Sequence, residues 1–447
     1  MPDLVFPDDD RYALSRSQFI GRPQEVLPQA IARCKNADDV REALELARHE
    51  GWEFAIRGGG HSNACHSSSS GLVLDLSPAD EITFDGTRVT VGAGVRVGQV
   101  AQHLAPHERL VPSGSCPSVG LVGAALGGGF GSHGRQHGLT CDHLESVEIV
   151  LADGRVITAD ADHEPDLFWA LRGAGGGNFG VVTKAVFRTV SSPARTHVRL
   201  AWPIAHAPEL IRRWQRWPQP DDVSLELILL SPDHPDDPQQ VVIIGAVQDD
   251  EHTGFLDIPP DLVETARVSR AGAAQLHPTP YSAVSLDPIA IPLTTDRPGM
   301  CTSKTEFFDD PLPDDAIDAL LAHFTAGRVH GELREVAFTP WGGAYGRVPS
   351  GATAFAHRDA AYLVKHTVLV GPVGAARRGH EALDWLARSW QLTHPHGTGR
   401  SYANFPDPAL DNALTSYYST NLDRLTAVKA AYDPENFFRF AQSLELG

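Results

Sequence analysis

Two nucleophilic side chains stand in unusually bare stretches of main chain. His61 follows Gly58, Gly59 and Gly60 in IRGGGHSNACHSSSSGLVLDLS (56–77). Cys116 lies near the start of GSCPSVGLVGAALGGGFGSHGRQHGLTCDHLESV (114–147), with glycines at 114, 120, 123, 127, 128, 129, 131, 134 and 138. A third segment, ALRGAGGGNFGVVT (170–183), repeats the theme. Each glycine costs a helix ~1 kcal/mol against alanine, so this density marks backbone that a ligand must approach. Positive φ and missing Cβ atoms let peptide N–H groups close on an anionic group. Neither of the later segments matches a GxxxxGK[ST] phosphate loop, and neither is followed by a Rossmann layout. A metal reading on His61, Cys65 and His66, with His133 and His137 one helical turn apart, lacks a converging fourth ligand. No metal is expected.

The elements that must position these residues follow from periodicity and punctuation. Ile31, Val40, Leu44, Leu46 and Ala47 recur at helical spacing over 26–50, with Asn36 or Asp38 available as N-cap. A short buried strand over 52–57 runs into the triple glycine, and 71–76 and 88–91 read as further strands. A short helix is expected over 97–103, a β-hairpin over 144–159 around Asp153-Gly154, a helical turn over 166–171 and a strand over 181–189. The first ~190 residues thus make an α+β unit around three glycine-rich loops. Farther on, strand-like runs at 224–230, 241–247, 333–339 and 361–370 enclose helical stretches at 314–324 and 380–393. This pattern suits a second domain, an antiparallel sheet with helices on one face.

Composition narrows the function. The 447 residues carry a net charge of −19, which repels phosphate backbones and anionic lipid, so neither nucleic acid nor membrane is an expected partner. No apolar run approaches the ~20 residues of a membrane span, and MPDLVFPDDDRYALSRSQF shows no basic-then-apolar leader; a cytoplasmic location is expected. Five scattered cysteines without a CxxC pair argue against a disulfide framework and a structural zinc site.

The three glycine segments in this order, followed by the ending Y-x-N…YY…N…RL…VK…YDP-x-N-x-F…QS (Tyr402 to Gln442), resemble the vanillyl-alcohol-oxidase superfamily, and most of all its berberine-bridge-enzyme-like branch. The resemblance runs from about residue 35 to the end and is weak between 195 and 330. It implies a two-domain fold: an FAD-binding domain over 1–195, a substrate-binding domain over 196–399, and a tail over 400–447 returning to the first. It implies FAD held by two covalent bonds, from His61 to the 8α-methyl and from Cys116 to the 6-position. Around the cofactor it implies Arg57, Gly58, Gly59, Gly60, Ser62, Val119, Gly120, Gly127, Gly128, Gly129, Asp142, Gly177, Asn178, Gly180, Val181, Val182, Asn404 and Asn436.

Oxidation by such a cofactor needs a hydride delivered to the ring and a group that takes the substrate proton. The resemblance puts Tyr402 against the ring. Tyrosine titrates near 10, so Tyr402 is a base only if its surroundings lower that value, and a neutral hydrogen-bonding role is the alternative. Where the family often has a second tyrosine, this chain has Phe130. Along the strand after His357-Arg358, alternation puts Tyr362, Val364 and His366 on one face and Leu363 and Lys365 on the other. His366 falls where relatives carry glutamate or glutamine, and an imidazole suits proton transfer near neutral pH. His366 is therefore either a general base or a satisfied structural histidine, and Tyr362 is a candidate for the substrate wall. Glu332, Arg334 and Glu335 are expected in solvent. Val119 matches relatives that react readily with oxygen, which implies an oxidase releasing hydrogen peroxide. The expected partners are O2 and a small molecule offering a hydroxyl, phenol or amine on a natural-product scaffold. A carbohydrate, or a flavin-holding protein without turnover, remains open, and the oligomeric state is unassigned.

Overall fold

A computed structural model describes residues 2–19, 26–192, 195–247, 258–268 and 299–446. The Asn36 side chain accepts the Asp39 N–H and caps the helix Ala37–Glu50, which Gly51 ends in the left-handed conformation at φ 65°. The chain ahead of the cap is not helical as expected. It forms the strand Ala30–Arg33, whose Ala30, Ile31 and Ala32 are buried. An apolar run that short carries no period to distinguish strand from helix. It belongs to a four-stranded sheet in the order Asp3–Val5, Ala30–Arg33, Leu72–Asp75, Phe54–Arg57. The last three strands run parallel, so the carboxyl end of Phe54–Arg57 delivers Gly58 to His61.

A five-stranded antiparallel sheet follows in the order Ile82–Phe84, Arg88–Gly92, Val181–Arg188, Leu144–Val150, Val156–Asp160. Both sheets pack into one core that includes Leu72, Val91, Ile149, Phe179 and Phe187. Tyr417, Tyr418, Leu425, Val428 and Phe438 from the tail join that core. Lys429 locks the tail in place: fully buried, it donates to Asp433 Oδ2 (2.7 Å) and to the carbonyls of Asn178 (2.7 Å) and Phe438 (2.6 Å).

The intervening chain builds a seven-stranded antiparallel sheet in the order Leu262–Val268, Arg195–Pro203, Gln240–Val247, Ser224–Ser231, Glu332–Pro340, Tyr362–Val370, Met300–Phe308. Leu210 and Trp214 of the helix Ala207–Arg216, Ile317 and Leu320 of Asp314–Thr325, and Leu386 of Pro372–Thr393 pack on one face. The mixed α+β architecture agrees with the sequence reading. The expected exposure of Glu332, Arg334 and Glu335 is overturned: all three are buried. Arg334 Nε donates to Glu332 Oε1 at 2.6 Å, and its guanidinium lies 4.7 Å over the Trp385 ring. Buried charge is tolerated there because it is paired.

Candidate active site

A cavity of about 470 Å³ lies where the glycine segments meet the face of the seven-stranded sheet that carries Glu226, Ala337 and Lys365. All three glycine segments line it. Two of the glycines owe their bareness to each other. A Cβ on Gly59 would stand 2.2 Å from the Gly120 nitrogen, and one on Gly120 would stand 2.6 Å from the Gly59 nitrogen. Contact closer than any real Cβ allows brings the His61 loop and the Cys116 loop together. Arg96 stitches them, with Nη1 donating to Gly59 O (3.3 Å) and Ser118 O (2.6 Å). The first N–H groups of the helix Val97–Leu104 hold the Cys116 loop from behind, Val97 N–H to Val119 O and Gly98 N–H to Pro117 O, both 2.9 Å.

The loop contact places both nucleophiles on the cavity wall around one hydroxyl. His61 Nε2 is 3.0 Å from Ser118 Oγ, and Cys116 Sγ is 3.4 Å from the same oxygen. Phe19 stacks on the His61 ring at 3.9 Å between centroids. Burial, with the Arg96 charge adding to it, holds the His61 pKa down to about 3, so the imidazole is neutral at physiological pH. Burial pushes the Cys116 thiol up, opposed by hydrogen bonds from Ser118 and the Val119 N–H and by Arg96.

Tyr402 also lines the cavity; it is buried, and its hydroxyl oxygen accepts the Gly129 N–H and Asn404 Nδ2–H, each at 2.9 Å. Burial raises the phenol above its ordinary value despite these two donors, so Tyr402 is neutral and keeps a hydroxyl hydrogen to give. Phe130 sits edge-on to Tyr402 at 5.1 Å. Of the other residues expected around the cofactor, Gly58, Gly60, Ser62, Val119, Gly127, Gly177, Asn178, Gly180 and Val182 line the cavity together with Gly59, Gly120, Gly129 and Asn404.

Five do not, and each has a structural occupation instead. Arg57 is turned away and clamps the N-terminal segment, donating to the carbonyls of Ser15 (2.7 Å), Arg16 (3.3 Å), Ser17 (3.3 Å) and Ser67 (3.0 Å). Asp142 is spent on Arg358, two bonds of 2.8 Å, and on the Leu139 N–H. Gly128 lies against Phe355, whose ring a Cβ would meet at 2.8 Å. Val181 is a core residue paired with Val150, and Asn436 sits at φ 50° in the turn that follows Asp433.

His366 and Tyr362 point the wrong way for catalysis. Alternation along Tyr362–Val370 is as read from sequence, but their face is the one the helices cover. The two ring nitrogens of His366 meet Ser389 Oγ (2.9 Å) and Thr393 Oγ1 (3.1 Å), and burial, with the charges of His323 and Lys304, holds its pKa down to about 3. Tyr362 bonds Gln215 Oε1 (3.1 Å) and Asp310 O (2.9 Å) and stacks on Phe308. Both ring nitrogens of His366 thus have hydroxyl partners on the helix-covered side of the sheet.

The opposite face of the same strand looks into the cavity, and there the sequence reading missed Lys365. Beside it stands Glu226 on Ser224–Ser231, its Oε1 accepting the Thr339 hydroxyl at 2.8 Å. Burial raises the Glu226 carboxyl, with Lys365 and Thr339 opposing. Burial also works against the Lys365 ammonium, but Glu335 (Oε1 at 3.3 Å) and Glu226 outweigh it and raise its pKa. His197, Ser224 and Thr339 complete a polar floor. A signal for Glu226 existed: one carboxylate inside the apolar run SLELILL, on the side away from Leu225 and Leu227.

Residues 28–160 match the FAD binding domain family and residues 401–445 the berberine and berberine-like family. The uncharacterized FAD-linked oxidoreductase YgaK of Bacillus subtilis is 32% identical over 99% of this chain and 96% of its own length. The chain belongs to the berberine-bridge-enzyme-like FAD-linked oxidoreductases. FAD is therefore the cofactor of this oxidoreductase, and the cavity fits it: Gly123 and Gly176 line it, and a Cβ added at either would meet no protein atom within 4 Å. A xylooligosaccharide oxidase of Thermothelomyces thermophilus is 29% identical over 94% of this chain and 87% of its own. Among solved structures, BBE-like 1 of Physcomitrella patens superposes with a TM-score of 0.87 at 25% identity, covering 100% of this chain and 97% of that one. No helix among the described residues is long and apolar enough to cross a membrane.

Proposed function

We propose that this oxidoreductase is an oxidase with FAD bonded through both His61 and Cys116, acting on a hydroxyl, phenol or amine of a small molecule. The observation that carries the reading is the meeting of the two nucleophiles at Ser118 on the wall lined by all three glycine segments. FAD held there by His61, Cys116 and the glycine segments would supply hydride acceptance from substrate and electron transfer to dioxygen, with release of hydrogen peroxide. The Gly59–Gly120 contact fixes the two tethers relative to each other. Gly58, Gly60, Ser62, Gly127, Gly177, Asn178, Gly180 and Val182 supply the surrounding wall, which Val119, three residues after Cys116, also lines.

Tyr402, neutral and held by Gly129 and Asn404, donates a hydrogen bond that orients the substrate heteroatom. Glu226 takes the substrate proton: burial raises its carboxyl above the usual carboxylate range, with Lys365 and Thr339 opposing, which suits a proton acceptor. The polar floor of His197, Ser224, Glu226, Thr339 and Lys365 supports a second reading, a carbohydrate substrate, as do the oligosaccharide-oxidising relatives. Anaerobic photoreduction followed by air tests the oxidase reading. Rapid return of the oxidised spectrum with stoichiometric peroxide is expected; a bleached protein that yields no peroxide would leave a flavin-holding protein without oxidase turnover. A panel of glycosides, alcohols and aromatic phenols and amines, scored by peroxide release, separates the two substrate readings.

A further inference from the structure

An imidazole forms a bond through a lone pair lying in its ring plane, so both that plane and the rotation within it must be right. Two contacts set them for His61. Nε2 lies 3.0 Å from Ser118 Oγ, which fixes the rotation and leaves Nδ1 as the other ring nitrogen. Phe19 fixes the plane: the two rings stack 3.9 Å apart between centroids and 15° from parallel. Phe19 lies beyond the one-turn helix Tyr12–Ser15 and is seated by individual bonds. Arg57, the residue ahead of the triple glycine, grips the carbonyls of Ser15, Arg16 and Ser17. Ser67 Oγ donates to Gln18 Oε1 at 2.9 Å, and the Phe19 N–H donates to Gly60 O at 3.1 Å, one residue before His61. The Phe19 ring also packs with Cys301 and Leu369, cross-strand partners in the seven-stranded sheet. It is 1% exposed, so it cannot slide off the imidazole without opening a buried contact between the two domains. Phe19 itself does not line the cavity, whereas His61 does.

We propose that Phe19 is the positioning residue for the His61 attachment: its ring holds the imidazole plane in the orientation that bonds the flavin 8α carbon, and the segment gripped by Arg57 delivers that ring. The inference rests on the two-bond reading above. The attachment replaces one C–H of the methyl group and the imidazole N–H by a single N–C bond. Both hydrogens and two electrons go to dioxygen, which leaves as hydrogen peroxide. Phe19 takes no part in that exchange. It removes imidazole orientations that cannot react, and for two groups already side by side that restriction is what raises the rate. Cys116 is oriented by Ser118 instead, so only one of the two bonds should feel the loss of Phe19.

The test uses protein made under riboflavin limitation and mixed with FAD in air, each bond being followed by mass spectrometry of digested samples. Phe19→Leu and Phe19→Met keep apolar bulk but not a flat ring, and should form the His61 bond at least about tenfold more slowly than wild type. Their Cys116 bond should form at the wild-type rate, so chains bonded through sulfur alone accumulate. Phe19→Tyr keeps the flat ring and should restore the His61 bond. In a His61→Ala background, adding Phe19→Leu should leave the Cys116 rate where His61→Ala alone puts it. Only flavin-carrying chains enter the comparison, so unfolded chains drop out, and the thermal midpoint reports any loss of fold. A His61 bond formed at the wild-type rate in Phe19→Leu and Phe19→Met, equal slowing of both bonds, or a Phe19→Tyr protein no faster than Phe19→Leu would each overturn the positioning role while leaving two-bond attachment standing. Wild-type protein without any His61–flavin peptide would overturn both.

Discussion

Replacing His366 by leucine separates a proton acceptor from a packing residue. The imidazole bridges two hydroxyls, Ser389 and Thr393, and all three residues are buried. Losing the partner of a buried polar group costs about 1–3 kcal/mol, so His366→Leu should lose about 3 kcal/mol of stability at pH 7. The loss must depend on pH with a definite sign. The unfolded chain protonates this ring near 6.5, whereas the folded protein resists until about 3. Stability contributed by His366 is thus complete above pH 6.5 and falls by about 1.4 kcal/mol per unit below it. At pH 5 the wild type should have lost about 2 kcal/mol through this residue alone, and the gap to His366→Leu should shrink to about 1 kcal/mol. Denaturant unfolding of both proteins at pH 7 and pH 5 measures the difference, in which the other buried histidines cancel. Flavin attachment and substrate-driven flavin reduction should be unchanged. A gap that does not move with pH, or a variant of normal stability whose flavin substrate no longer reduces, would refute the structural assignment.

Lys365→Met should strand the buried Glu335 carboxylate and cost about 2–4 kcal/mol, much of it regained in Lys365→Met/Glu335→Gln; thermal unfolding reads both. Asp142→Asn should cost about 3 kcal/mol by leaving the Arg358 guanidinium without its carboxylate. Flavin attachment in that variant should be intact, since Asp142 stands off the cavity; a colourless but folded protein would return Asp142 to the cofactor site. Glu226→Gln should slow substrate-driven flavin reduction at least about a hundredfold and leave photoreduction and reaction with oxygen unaltered. An unchanged reduction rate would remove Glu226 as proton acceptor.

The parts of the fold legible in the sequence are those governed by local rules. Asn36 as a cap, the hairpin around Asp153-Gly154 and the strand 224–230 depend on residues within a few positions. Met300–Phe308 is not assigned from the sequence, because its polar Lys304, Thr305 and Glu306 are buried only against Asp407, Ser401 and His394, about ninety to a hundred positions away. The candidate site divides similarly. Bare backbone flagged the three loops, but not that Gly59 and Gly120 are bare for each other's sake. Alternation sorted Tyr362 and His366 from Lys365; only the packed helices decide which face is covered, and they cover the face of His366. Arg57 adjoins the lining residue Gly58 in sequence yet turns away from the cavity, and Asp142, part of the same glycine-rich segment as Cys116, stands off it as well, a difference that motif letters do not encode.

The most direct measurement is proteolysis of acid-precipitated protein followed by mass spectrometry for flavin-bearing peptides. A yellow pellet is expected, and in its digest one flavin joining the peptide that contains His61 to the peptide that contains Cys116. Flavin released wholly into the acid supernatant, with both peptides recovered bare, would contradict the account.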